Sequence, residues 1–133
     1  MDARVRPEQV MLRFNDCINR RDLAGLGALM TEDHVFIDSV GESVVGKGQC
    51  MDAWRGFFDL FPDYRNHFRE VSSRGDGRAL AFGYSTCSVA VLDGPAIWTA
   101  AVREEHVSEW RVYADTPENR IAVRGWPAAP ETA

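Results

Sequence analysis

Apolar positions fall first at helical and then at strand spacing. Val10, Phe14, Cys17 and Ile18 recur at i, i+4, i+7 and i+8, one stripe of a helix. Pro7 stands where its fixed φ suits a first turn. Asn19-Arg20-Arg21 breaks the pattern. Asp22 can cap a second helix carrying Leu23, Leu26, Leu29 and Met30, kept short by Gly25 and Gly27. Thr31-Glu32-Asp33 reads as a polar connector. Residues 34–38 alternate, with Val35 and Ile37 on one face and His34, Phe36 and Asp38 on the other. Gly41, Gly46 and Gly48 mark turns around a small hairpin. A third helix is predicted over 49–60, with Met51, Trp54, Phe58 and Phe61 along one side and Phe57 and Leu60 broadening it. Pro62 ends it, because the residue before proline disfavours helix.

Strands follow. Residues 66–72 are one candidate, and Gly75-Asp76-Gly77 is a turn. Residues 79–92 read as one long strand in which Leu80, Phe82 and Tyr84 alternate with small residues. Asp93-Gly94 signals a hairpin, with 96–102 as the return strand. A tight connection at 103–106 leads to a last strand over 107–114. There Trp110, Val112 and Ala114 make the apolar face, and Glu109, Arg111, Tyr113 and Asp115 the polar one. Residues 126–133 are rich in Pro and Ala and read as a loose tail. Helices first and strands afterwards predict an α+β domain, three N-terminal helices packed on one face of an antiparallel sheet. A strongly curved sheet would leave an apolar pocket beneath them.

Length and composition narrow the function. The 133 residues make one domain, and a 45% hydrophobic fraction supplies one core. A formal net charge of −5 argues against nucleic acid and anionic membrane, which both require a basic face. The first six residues lack an apolar leader region, and no apolar stretch approaches the roughly 20 residues that span a bilayer. Cys17, Cys50 and Cys87 are odd in number and widely spaced, which points to a reducing cytoplasm rather than a disulfide framework.

Asp38 is the main candidate for chemistry. A carboxylate ending an apolar strand and facing an aromatic helix is placed to have a raised pKa and to move a proton. The other reading is a turn-former, since Asp bonds backbone amides readily and Ser39-Val40-Gly41 follows. His34 shares its parity and is a candidate for the pocket mouth, but two residues of strand separate the side chains by about 7 Å, and the other reading is a satisfied structural histidine. Arg111 and Asp115 would form a pair at the pocket mouth, or else face away from the helices because Trp110 and Val112 need the core. Trp54, Phe57, Phe58, Phe61, Phe82 and Trp110 can serve as core and as walls for a flat ligand. Tyr84 adds a hydroxyl that needs a partner if buried. No HxH, HExxH or paired acids stand at ligand spacing, so no metal is expected. The glycines lack the Lys-Ser/Thr of a phosphate loop, and no dinucleotide fingerprint is present, so no cofactor is expected.

The order of elements, with FNDCINRRDLAGLGALMTEDHVFIDSVG, FFDLFPDYRN and VSEWRVYADTPE, resembles the nuclear transport factor 2-like superfamily. Within it the SnoaL-like polyketide cyclase and ketosteroid isomerase-like branch is nearest, over residues 6–120. The resemblance implies a cone-shaped α+β barrel with an internal pocket, and a homodimer formed through the outer sheet face, where Val89 and Val91 are compatible apolar positions. It also implies a small apolar ligand, polyketide- or terpenoid-like, and Asp38 in the place of a general base, with Phe14 and Trp54 shaping the cavity. Phe14 falls where the isomerases hold an oxyanion-stabilising tyrosine, and a phenyl ring cannot donate that bond. Their second oxyanion acid would fall near residues 98–100, and the acid of the related epoxide hydrolases near Val112; neither place holds an acid. An isomerase, cyclase or dehydratase and a noncatalytic binding or dimer-forming module therefore both fit.

Overall fold

The computed structural model describes residues 5–124; the N-terminal and C-terminal segments read above as leaderless and loose lie, in whole or in large part, outside them. Helix α1 (Pro7–Arg20) starts on its proline and buries Val10, Met11, Phe14, Asn15 and Ile18. It stops at Arg21, which adopts a left-handed φ of 57°. Helix α2 (Leu23–Leu29) is capped as expected: Asp22 Oδ1 accepts from the Gly25 amide at 2.9 Å.

Strand β1 (Met30–Ile37) takes in Thr31, Glu32 and Asp33, so the expected polar connector is strand. Its pairing lies far along the chain, where local polarity gives no hint of it. β2 (Ser43–Val45) returns against β1 in the small hairpin. Helix α3 (Lys47–Leu60) buries Cys50, Trp54 and Phe58, while Leu60, expected to widen the apolar side, is 72% exposed. β3 (Arg65–Arg74) and β4 (Arg78–Thr86) follow. The long strand predicted to residue 92 ends at Thr86. Residues 87–93 instead form a connection with one 3-10 turn at Ala90–Leu92, pinned by Asp93 Oδ1, which accepts from the Cys87 amide at 3.0 Å. Asp93-Gly94 is therefore not a two-residue hairpin. β5 (Gly94–Arg103) and β6 (His106–Ala114) are joined through Glu104 and Glu105, both at positive φ.

The six strands form one sheet in the order β2-β1-β6-β5-β4-β3. β1 pairs with β6 in parallel and every other pair is antiparallel, so the sheet is mixed rather than antiparallel throughout. It is open, with β2 and β3 at its edges. Register shifts in the β1/β6, β3/β4 and β5/β6 pairs are irregularities of the kind that bend strands. The α+β reading stands, with helices packed on a sheet.

The main core lies between α1–α3 and the inner sheet face, where the fully buried Phe14, Ile18 and Leu26 meet Trp98 and Trp110. Each such aliphatic or phenyl side chain contributes about 1.5–3 kcal/mol. Ala79, Ala81 and Gly83 on β4 face inward. At Gly83 a Cβ would stand 2.0 Å from the His67 carbonyl oxygen, so only glycine permits that approach of β3 to β4.

A fourth helix, α4 (Pro117–Arg124), was not expected. Thr116 Oγ1 accepts from the Asn119 amide at 3.1 Å at its start. Its Val123 is buried against Leu80, Phe82 and Ile97 on the opposite sheet face, a second small core. Among the described residues no helix is long and apolar enough to cross a membrane.

Candidate functional site

A cavity of about 390 Å³ lies between α3 and the inner sheet face. Its aromatic walls come from five places: Phe36 on β1, Trp54 and Phe57 on α3, Tyr64 just before β3, Trp98 on β5 and Trp110 on β6. Three of the ring contacts run edge to face in a chain. Phe36 meets Trp54 at 5.6 Å, Trp54 meets Phe57 at 5.7 Å, and Phe57 meets Tyr64 at 4.8 Å. Each such pair adds about 0.5–1.5 kcal/mol beyond burial, so the rings hold one another in place. Val40 in the turn after β1 and Leu92 in the 87–93 connection also line the cavity, and Val40 is 79% exposed.

Asp38 is the one acid in the lining among the described residues. It is half-buried. Oδ1 accepts from the Val40 and Glu42 amides, both at 3.0 Å, which closes the β1–β2 turn. Oδ2 has no hydrogen-bond partner among the described residues. The turn-forming reading of Asp38 is realised, and the same side chain also borders the apolar cavity.

Across the sheet a second polar group was not anticipated. Asn66 is nearly fully buried and lines the cavity. Its backbone is clasped by Asn19, which accepts from the Asn66 amide at 2.8 Å and donates to its carbonyl at 2.9 Å. Its side-chain Nδ2 donates to Asn15 Oδ1 at 3.0 Å, and Ser85 Oγ lies 2.8 Å from its Oδ1. Ser85 also lies 3.1 Å from the Tyr64 hydroxyl. Burial pushes the Tyr64 phenol above its usual pKa. Tyr64 and Asn66 share strand parity with Phe68, which packs on Trp98 at 4.9 Å; that alternation was the available signal.

The structure divides the other expected site residues. Trp54 and Trp110 line the cavity. Phe14 and Phe58 are buried but outside the lining: Phe14 stands 4.6 Å from the Trp110 ring, and Phe58 packs on Trp54 with the Arg21 guanidinium 5.6 Å from its centroid. Phe82 and Tyr84 are on the opposite sheet face. Arg120 and Arg124 lie 5.0 and 4.7 Å from the Phe82 ring, and Tyr84 stacks on His67 at 4.7 Å. Their alternation was legible, but the face was inverted: the small residues turn inward, where α1 approaches β4. Arg111 also faces outward, 4.5 Å from the Tyr113 ring, and Asp115 is held by Arg120 at 2.5 and 2.8 Å, so neither stands at the pocket mouth. That Arg120 contact depresses the Asp115 carboxyl.

His34 is fully buried rather than at the mouth. Its Nδ1 lies 2.6 Å from the Val107 carbonyl, so the neutral ring donates there, and Nε2 is buried with no partner among the described residues. Burial lowers its pKa, opposed by the Val107 contact and the Asp33 charge. Cys50, also in the lining, has its thiol pushed up by burial.

Fold and pocket together define a small α+β domain with an aromatic cavity between helices and sheet. Residues 11–126 match the SnoaL-like domain family, and the chain belongs to it. No curated protein sequence matches at a significant level. Three solved structures show the same fold. A proposed SnoaL-like polyketide cyclase from Shewanella putrefaciens CN-32 is 14% identical, covering 91% of this chain and 88% of that one at a TM-score of 0.72. An epoxide hydrolase of the LEH-like kind from M. tuberculosis is 14% identical, with 82% of each chain covered and a TM-score of 0.71. A Catenulispora acidiphila protein with a ketosteroid isomerase-like fold, in complex with trimethylamine, is 13% identical, covering 82% and 86% at a TM-score of 0.69.

Proposed function

We propose that this protein binds a flat, largely apolar small molecule in the aromatic cavity, and that Asp38 moves a proton on it. The observation that supports this is a cavity of about 390 Å³ walled by aromatic rings with a single carboxylate in its lining. In an isomerase- or cyclase-type step the Asp38 carboxylate takes a proton from a carbon next to a carbonyl. The C–H electron pair moves into an enolate, and the same proton returns at another atom, so no cofactor is consumed. Polyketide- or terpenoid-like compounds supply such carbons. A cytoplasmic homodimer belongs to this reading; because α4 covers Leu80, Phe82 and Ile97, its interface would use other parts of the outer face.

The second reading, a noncatalytic binding module, is favoured by one observation: Asp38 Oδ1 is already held by two amides of its own turn. An aryl ketone such as 2-acetylnaphthalene, incubated in heavy water, separates the two. Under the enzymatic reading the protein accelerates deuterium incorporation beside the carbonyl, and Asp38→Asn lowers that acceleration by about 100-fold or more while still binding the ketone. Binding without accelerated exchange in the wild type leaves the binding module.

A further inference from the structure

The polar cluster beside the cavity has one proton that can be redirected. Ser85 Oγ lies 2.8 Å from Asn66 Oδ1 and 3.1 Å from the Tyr64 hydroxyl, and it has a single proton to give. Asn66 Nδ2 donates to Asn15 Oδ1 at 3.0 Å, which turns the amide oxygen toward Ser85. An amide oxygen only accepts, so the Ser85 proton goes to Asn66. Ser85 then accepts from Tyr64. If the Tyr64 O–H swings to a ligand, every other donor in the cluster keeps its acceptor, and what is lost is the phenol's own contact with Ser85 and with the Asn66 side chain.

The sheet wall between the two ends of the cavity has donors in surplus. Trp98 and Trp110 both line the cavity, and their indole Nε1–H groups are buried with no acceptor among the described residues. A ligand with another donor against this wall would add to the excess. A ligand with an accepting oxygen would relieve it. The Asp38 end is the reverse, since a carboxylate accepts.

Building on the reading that this cavity binds a small molecule, we propose that it selects flat apolar ketones over the corresponding hydrocarbons, and that Tyr64 is the residue that recognises the ketone oxygen. Ser85 and Asn66 position the phenol: they hold it in the empty pocket and release it at little cost. Tyr64 stands before β3 and Asp38 follows β1, so the two groups lie on opposite sides of the cavity. The preferred ligand is therefore one with a carbonyl at one end and an acidic C–H nearer the other.

The test uses 2-acetylnaphthalene and 2-ethylnaphthalene, similar in size and differing in the carbonyl, titrated against the full-length protein by quenching of tryptophan fluorescence. The wild type is expected to bind the ketone about 3- to 10-fold more tightly, the worth of one neutral hydrogen bond. Tyr64→Phe should remove that preference and leave the hydrocarbon affinity unchanged to within about twofold. Ser85→Ala should keep or enlarge the preference, because the phenol then has only the Asn66 side chain as an internal partner. Should Tyr64→Phe fail to fold, the carbonyl stretch of the ketone bound to wild type decides: a shift to lower frequency from its value in hexane supports the bond, and no shift overturns it. Equal binding of both probes by the wild type, or a preference that survives in Tyr64→Phe, overturns the assignment and leaves the binding pocket standing. Failure of the wild type to bind either probe overturns both.

Discussion

Truncating Asn66 to alanine isolates the contribution of the polar cluster to stability. The carboxamide makes two bonds inside the protein, to Asn15 at 3.0 Å and with Ser85 at 2.8 Å, from a residue only 3% exposed. Its backbone clasp with Asn19 survives the change. The variant leaves Asn15 Oδ1 and Ser85 Oγ without those partners, and a buried polar group left unpaired costs about 1–3 kcal/mol. Asn66 borders the cavity, so water can reach one of the two and soften the loss. The expected destabilisation is about 2–4 kcal/mol. Urea unfolding measures it, with an unchanged m-value showing that the native fold is kept. Because Asn15 and Asn66 share one bond, the Asn15→Ala, Asn66→Ala double variant should be less destabilised than the sum of the singles by about 1 kcal/mol. A loss below about 0.5 kcal/mol for Asn66→Ala, or strict additivity with Asn15→Ala, would refute the view that these contacts are strong and coupled.

His34 gives a pH signature with a defined sign. Burial lowers its folded-state pKa, so below the unfolded value of about 6.5 the unfolded chain binds the proton first, and stability falls as the solution is acidified. The slope from this one group is at most about 1.4 kcal/mol per pH unit, and His34→Gln should flatten the profile between about pH 5 and 7; parallel profiles for the two proteins would count against a buried neutral ring. Gly83→Ala should cost about 1–3 kcal/mol or more, because its Cβ would meet the His67 carbonyl at 2.0 Å and both are backbone-anchored; an unchanged melting temperature would show that the two strands are not that close.

Much of the fold was legible because it is written in local spacing. The α1 stripe, the Asp22 cap, the break at Pro62 and the alternation of β6 all depend on residues a few positions apart. The parts that were not legible depend on distant partners. Thr31, Glu32 and Asp33 are strand because β1 pairs with β6, and Asp33 forms an ion pair with Arg103. The alternation of β4 was visible, but which side chains face the main core depends on α1 packing on one side and α4 on the other, and residues 117–124 carried no assignment. At the site, the cavity-lining positions of Asp38, Trp54 and Trp110 were legible from position and type. Tyr64 and Asn66 were missed because their role comes from Asn15 and Asn19 on α1 and Ser85 on β4, brought together only by folding.

The parallel pairing of β1 with β6 bears on how the chain folds. His34 meets the Val107 carbonyl across 73 residues of sequence, and until that later segment exists β1 has only the three residues of β2 beside it. Closing so large a loop early is entropically unfavourable, so docking of β6 into the gap between β1 and β5 should come late and set the rate. On the ribosome, the N-terminal half would wait with its aromatic helix uncovered until the last strand emerges. The wall that carries Trp110 would be the last to arrive, so the cavity and the finished sheet would form in the same event.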